Sequence, residues 1–261
     1  RIVGEAREDG LTGEAAKVAY YFFLSIWPLF LGLFAFTGIF GGEPAFEWIM
    51  GWVQKLLPEA PTRFLERYVR EITEQSRPDM LSLGVVLLLW SGSSIFTALA
   101  DGLNTIYDIG EGRTWWRKRL LALGLMAAAS ILLTGGASAI LVGEGIVESL
   151  GLSDLYNLAR WPVAFVLLTA LLWLVYYFLP NRDQDMSKRY VAIGAVTGST
   201  LWVLVTTGFH LYVTHFGSYG RTYGLVGAML VILIWLYLTA LAILFGGEVA
   251  VSLEQGLHED G

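Results

Sequence analysis

The chain has no cysteine among its 261 residues. That excludes a disulfide framework, a thiolate nucleophile and a cysteine metal site. Charge is also scarce: Asp, Glu, Lys and Arg make up 15% of the residues against 55% hydrophobic, and mean hydropathy is +0.58. A soluble domain carries about a quarter charged residues, so this composition argues against one. The net charge of -6 gives no basic footprint for nucleic acid. The sequence has no Gly-x-x-x-x-Gly-Lys-Ser/Thr loop, no His-Glu-x-x-His and no nucleophile elbow. ATP-driven or hydrolytic chemistry is therefore not expected, and neither are catalytic residues, a metal or a cofactor. Of three histidines, His210 and His215 are five apart and do not share a helix face, whereas a zinc pair wants four. Thr206 and Thr214 do share the His210 face, which suggests a polar patch there. No signal peptide is visible, because the first apolar run is too long and lacks a small-residue cleavage site. The first residue is Arg1 rather than Met, which leaves a missing N-terminal piece open.

What is present is long apolar runs. Residues 222–247 hold 26 positions without one Asp, Glu, Lys or Arg. As a helix this run is roughly 39 Å long, more than the ~30 Å of bilayer hydrocarbon. It is apolar on every face, so it leaves no side for water. Similar uncharged runs cover 18–42, 80–100, 120–143, 161–181 and 190–220. The expected fold is all-α: an integral membrane bundle with six transmembrane helices at about 18–42, 80–108, 119–143, 161–181, 190–215 and 222–248. Residues 1–17 form a polar lead, with a short helix capped at Thr12, and 248–261 an acidic, frayed tail. Pro28 is expected to kink the first span near Leu24 and Ser25. Pro162 suits the first turn of the fourth. The pairs Gly38/Gly42 and Gly194/Gly198 allow close helix approach. Residues 144–154 make a short acidic connection, and 218–224 a tight turn. The segment 43–79 differs: it holds five Lys/Arg, seven Asp/Glu and four of the seven prolines. Two amphipathic helices fit there, at about 45–57 and 62–75, too short and too polar to span.

Lys and Arg in short loops set orientation. With the N-terminus in the cytoplasm, ten cations fall on the cytoplasmic side: Arg1, Arg7, Lys17, Arg113, Arg117, Lys118, Arg119, Arg182, Lys188 and Arg189. The two short outer loops hold only Arg160 and Arg221. Both termini are therefore expected in the cytoplasm, with 43–79 extracytoplasmic.

Within the second span Ser94, Thr97, Asp101, Asn104 and Asp108 recur at steps of three and four, one polar stripe on a helix. Charged groups at membrane depth face the bundle interior or water, so the stripe is a candidate lining for a path. The plainer alternative is that Asp101 and Asp108 sit near the helix end and fix packing. Glu248, behind Gly246 and Gly247, is a second candidate, able to titrate or to pair with Arg182 or Arg119; the plainer reading is an interfacial acid that ends the helix. Arg113, Arg117, Lys118, Arg119, Arg160, Arg182 and Arg221 are candidates for anionic head groups, weighed against positive-inside bias and snorkelling.

Four segments carry a family resemblance. They are Ala19-Tyr-Tyr-Phe-Phe-Leu-Ser-Ile-Trp-Pro28, Leu89-Trp-Ser-Gly-Ser-Ser94 running to Leu103-Asn104-Thr-Ile-Tyr107, Tyr177-Phe-Leu-Pro-Asn181, and Phe216-Gly-Ser-Tyr-Gly-Arg-Thr-Tyr-Gly224 with Leu236-Tyr-Leu and Gly246-Gly-Glu248. The chain resembles the BrkB/YihY family of bacterial inner-membrane proteins, which typically carries Asn where this chain has Gly220. The resemblance implies a six-span helical protein of the cytoplasmic membrane. It also implies a disputed function: virulence factor, transporter of lipid or lipid A precursor, or, under an older name, ribonuclease. No acidic metal cluster supports the last. The expectation is a transporter or flippase-like protein for a lipid or other amphipathic anion. Its partners would be membrane lipids, chiefly anionic, and no nucleic acid; a homo-oligomer is left open. The alternative is a membrane scaffold acting through 44–76 without transport.

Overall fold

In a computed structural model of the chain, residues 10–40, 50, 78–149, 153–182, 186–216 and 219–259 are described. They form six long helices and, among the described residues, no strand: α1 Leu11–Phe40, α2 Pro78–Ile106, α3 Trp115–Ser149, α4 Ser153–Phe178, α5 Lys188–Phe216 and α6 Tyr219–Glu259. Within α2 to α6, the segments Val85–Ile106, Trp115–Gly136, Leu158–Phe178, Lys188–Val213 and Met229–Gln255 are each long and apolar enough to cross a membrane. Helix α1 carries the uncharged run that begins at Val18 as far as Phe40. The result is a helical membrane bundle, the architecture that satisfies every backbone group without water.

Each helix packs on the next in sequence, and α6 closes the arrangement against α1 and α2. The core sits at one end. Val18 of α1, Leu103 of α2, Tyr176 and Leu179 near the end of α4, Val191 of α5 and Leu244 of α6 are all fully buried there. Glycines permit this closeness. A Cβ on Gly194 of α5 would lie 2.5 Å from the Gly246 carbonyl oxygen and 2.7 Å from Ala250 Cβ. The Tyr176 ring fills the remaining notch, and its hydroxyl donates to the Ile243 carbonyl at 2.5 Å. Gly194/Gly198 thus does what its spacing predicts, whereas Gly42 of the pair Gly38/Gly42 lies outside the described residues. In the opposite half Val163 and Val166 of α4 and Leu204, Leu211 and Tyr212 of α5 are exposed, as apolar side chains can be in lipid.

Several helix ends lie beyond the expected bounds. Helix α1 starts at Leu11, after Gly10 at φ 67°, and is continuous with the span, so no separate helix is capped at Thr12; Leu11 and Ala15 are buried. Helix α3 continues through Glu144 and Glu148, which therefore do not form a connection. Helix α4 starts nine residues before Pro162, placing that proline inside it rather than in its first turn. Residues 219–224 are the opening of α6, not a turn, and α6 runs on past Glu248 to Glu259, so Glu248 does not end the helix. Pro28 lies inside α1. The amphipathic helices expected at 45–57 and 62–75 lie outside the described residues, apart from Met50.

Helix α2 stops earlier than expected. The Ile109 amide bonds to the Asn104 carbonyl at 2.9 Å and the Asp108 amide to Thr105 at 3.1 Å, with Asp108 at φ 50°. This is a left-handed C-terminal cap in which Asp takes the place usually held by glycine. Asp108 therefore leaves the stripe: it is exposed beyond the end of the helix.

Candidate functional site

Four members of the stripe remain on one face of α2, and each is bonded. The Thr97 hydroxyl donates back to the Ser94 carbonyl at 2.8 Å, and the Ser94 hydroxyl to the Trp90 carbonyl at 2.7 Å. Asp101 takes the Lys118 ammonium of α3 on one carboxylate oxygen and faces Lys17 of α1 at 3.9 Å on the other. Asn104, only 4% exposed, accepts from the Asn181 amide at 2.8 Å and donates to Glu111 at 3.1 Å. Asn181 also donates its side-chain amide to the Gly110 carbonyl at 3.1 Å. The stripe thus ties α1, α3, the 107–114 turn and the α4–α5 link to α2.

The second knot is Glu111. Arg113 donates to it through Nε at 2.8 Å, a terminal guanidinium nitrogen at 2.9 Å and its own amide at 3.1 Å, and Lys118 lies 3.5 Å away. The hydrogen bonds from Arg113 hold the Glu111 carboxyl at about 2, well below the usual carboxylate range. Arg182 donates to the last carbonyls of α4, Tyr176 at 2.9 Å and Tyr177 at 3.1 Å, and lies over the Tyr107 ring at 5.3 Å. Glu248 is buried at 2% exposure, with Ser252 one turn on donating to it at 3.4 Å.

The other candidates scatter. Arg119 reaches from α3 across to α2: its guanidinium lies 4.0 Å over the Trp90 ring and donates to the Ser94 hydroxyl at 3.1 Å and to the Trp90 carbonyl. Arg117 lies over Trp116 at 5.2 Å, and Arg160 over Trp161 at 5.5 Å near the start of α4. His210 is exposed on α5, away from the stripe, while Thr206 on its face accepts from the Trp235 indole at 3.4 Å. The side chains of Arg221, Thr214 and His215 lie outside the described residues. Among the described residues no group of three or more His, Asp or Glu is placed to hold a metal ion.

Sequence reasoning missed Glu111, the donors of Asn181 and the approach of Lys17 to Asp101. Asn181 had a signal in the Tyr177 to Asn181 segment. Glu111, exposed in a short turn, had none. Lys17 also bonds Glu14 at 3.2 Å, so three cations (Lys17, Arg113, Lys118) face three carboxylates (Glu14, Asp101, Glu111). Chemically the cluster is a charge-balanced polar clamp across one end of the bundle, with Arg117 and Arg119 outside its balance.

Comparison with known proteins gives a consistent result. A family model described as "Virulence factor BrkB" matches residues 2–261. A Bacillus subtilis (strain 168) protein whose name calls it ribonuclease-like, YfkH, is 28% identical over 93% of this chain and 90% of its own length. A UPF0761 membrane protein of Pseudoalteromonas atlantica is 25% identical over 99% of this chain and 86% of its own. Another, from Idiomarina loihiensis, is 29% identical over 77% and 70%. No solved structure matches the chain.

Proposed function

The chain belongs to the BrkB family of membrane proteins, and from that membership we propose that it is a transporter or flippase-like protein of the bacterial inner membrane that carries a lipid or another amphipathic anion. One observation carries the reading. Among the described residues the buried core and the bonds that tie its helices gather at one end of the bundle, while Val163, Val166, Leu204 and Leu211 of the other half are exposed. A route that admits an amphipath from one side needs that asymmetry: a shut end, and a half in which helices separate at low cost. In lipid, separation is cheap wherever glycine contacts and hydrogen bonds do not hold the helices.

The clamp is then the barrier. Asp101 holds the α3 end to α2 through Lys118 and is approached by Lys17 of α1, so an anion arriving there competes with Asp101 for the same ammonium groups. Positive-inside bias puts this end in the cytoplasm, with both termini there. The protein works without catalysis in this reading, and the ribonuclease-like name stays with the relative that bears it. A scaffold acting through 44–76 would depend on residues that, apart from Met50, lie outside those described.

Reconstitution in liposomes with a labelled phospholipid or lipid A precursor is the test. Label should cross faster with protein than without, and Asp101→Asn should change that rate severalfold. Equal crossing with and without protein removes the proposal.

A further inference from the structure

The run of cations at 113–119 looks uniform in sequence, but the fold divides it. Glu111 takes Arg113, and Asp101 takes Lys118. Arg117 and Arg119 have no carboxylate partner among the described residues; both lie instead over indole rings. We propose that Arg117 and Arg119, with Trp90, Trp115 and Trp116, form a binding surface for the head group of an anionic phospholipid around the start of α3, with Arg119 and Trp115 beside α2 and Arg117 and Trp116 further round the helix.

The surroundings favour lipid over a protein partner. Trp90 is 54% exposed and Trp115 67%, their rings 6.0 Å apart, and Leu120 beside them is exposed as well. Arg119 lies within the segment Trp115–Gly136 that is long and apolar enough to span. An exposed cation, Arg117, and a half-buried one, Arg119, beside exposed indoles at the edge of a span make the arrangement that meets phosphate from the lipid and acyl chain from the bilayer. A guanidinium over an indole keeps its N–H edge free, and Arg119 commits donors to the Ser94 hydroxyl and the Trp90 carbonyl out of its five. A phosphate can take the remaining edge, a charge-assisted pairing that the protein does not itself complete. Helix α3 also has no acid in its first turn, so its positive end is left uncompensated toward the same place. Positive-inside bias alone would leave all four cations equivalent. Here two are neutralised internally and two are held, by their stacking, on the lipid side.

This site does not depend on transport. Its lipid is retained on the surface, and retention is measured without vesicles. The experiment is native mass spectrometry of the full chain in detergent, titrated with phosphatidylglycerol and, separately, phosphatidylcholine. Phosphatidylglycerol should bind and phosphatidylcholine should bind far more weakly. Arg117→Gln should weaken phosphatidylglycerol about fivefold, and the double change Arg117→Gln with Arg119→Gln roughly 30-fold, at about 1 kcal/mol per cation near the surface. Arg189→Gln, an exposed cation at the start of α5, should leave it unchanged. Arg119 also bonds α2, so the exposed Arg117→Gln carries the test if the double variant does not fold. Equal binding of the two lipids, or equal affinity of Arg117→Gln and Arg189→Gln, overturns the site.

Discussion

The two halves of α5 pack in opposite ways. Near its start, Gly194 and Gly198 lie so close to α6 and Tyr176 that a methyl group on either would meet an atom within 2.6 Å. Further along, Gly208 has nothing within 4 Å of where a methyl would stand, and Leu204 and Leu211 are exposed. The residue type is the same and so is the helix; only the neighbours change. In hydrocarbon there is no apolar driving force between helices, so close approach occurs where small residues and interhelical hydrogen bonds supply it. The closed end has both, in the glycine seam, the Tyr176 hydroxyl and the clamp around Asp101 and Glu111. Among the described residues the other half holds fewer such contacts, among them the Trp235 indole on Thr206 and the approach of Leu167 to Gly136.

The strongest way to break this comparison is one substitution made twice. Gly194→Ala puts a methyl 2.5 Å from a backbone oxygen that cannot move without shifting α6. It should cost about 1–3 kcal/mol, and more if α6 cannot shift. Gly208→Ala meets open space and should gain about 0.5–1 kcal/mol from the better helix former. Thermal unfolding in detergent, followed by size-exclusion, gives the two signs. If both variants shift the midpoint in the same direction, the halves do not differ as argued.

What the sequence made legible follows from the same physics. Exclusion of charge over twenty or more residues reports the solvent, and α2 to α6 each hold a segment long and apolar enough to span. It does not report the backbone. Helices α1, α3, α4 and α6 each extend beyond their uncharged runs, because a helix continues into water as long as one face is covered, as Leu11 and Ala15 are. Steps of three and four found the α2 stripe, since its spacing is local. They overran to Asp108, where the chain turns left-handed. The stripe's partners were not legible: Asn181 is 77 positions from Asn104, and nothing local marks the pair. Nor did the sequence separate Arg117 and Arg119 from Arg113 and Lys118, because that division is made by how the turn sets Glu111 on Arg113 and by Asp101, 17 positions from Lys118 on another helix.

A middle-sized effect sharpens the polar side of the comparison. Asn104→Ala removes the acceptor from the Asn181 amide and the amide donor from Glu111. Orphaning groups in a buried site costs about 1–3 kcal/mol. Thr200→Val, in the same kind of helix, removes only a 2.8 Å bond to the Val196 carbonyl of its own exposed turn and should stay within about 0.5 kcal/mol. Hydrogen exchange at residues 179–182 should quicken in the first variant and not in the second. Unchanged exchange there would mean that Asn104 does not hold the α4–α5 link.

The smallest effect is a pH dependence confined to the closed end. Arg113 lowers the Glu111 carboxyl from an ordinary 4.5 to about 2 in the folded protein. A folded value below the unfolded one means that the contribution is whole above about pH 4.5. It fades as pH falls from there toward 2. Glu111 is partly exposed in a surface turn, so solvent screening reduces the effect, and it should stay below about 1 kcal/mol. Other carboxylates titrate in the same window. The informative quantity is therefore the difference between the unaltered protein and Glu111→Gln. Their unfolding midpoints should converge between pH 5 and 3, because acid removes from the first what the substitution has already removed from the second. Molar salt should shrink the gap at pH 7, as it would for any exposed pair. Parallel midpoint curves across that pH range would show that Glu111 does not fasten the turn, and the closed end would then rest on Asn104, Asp101 and the glycine seam alone.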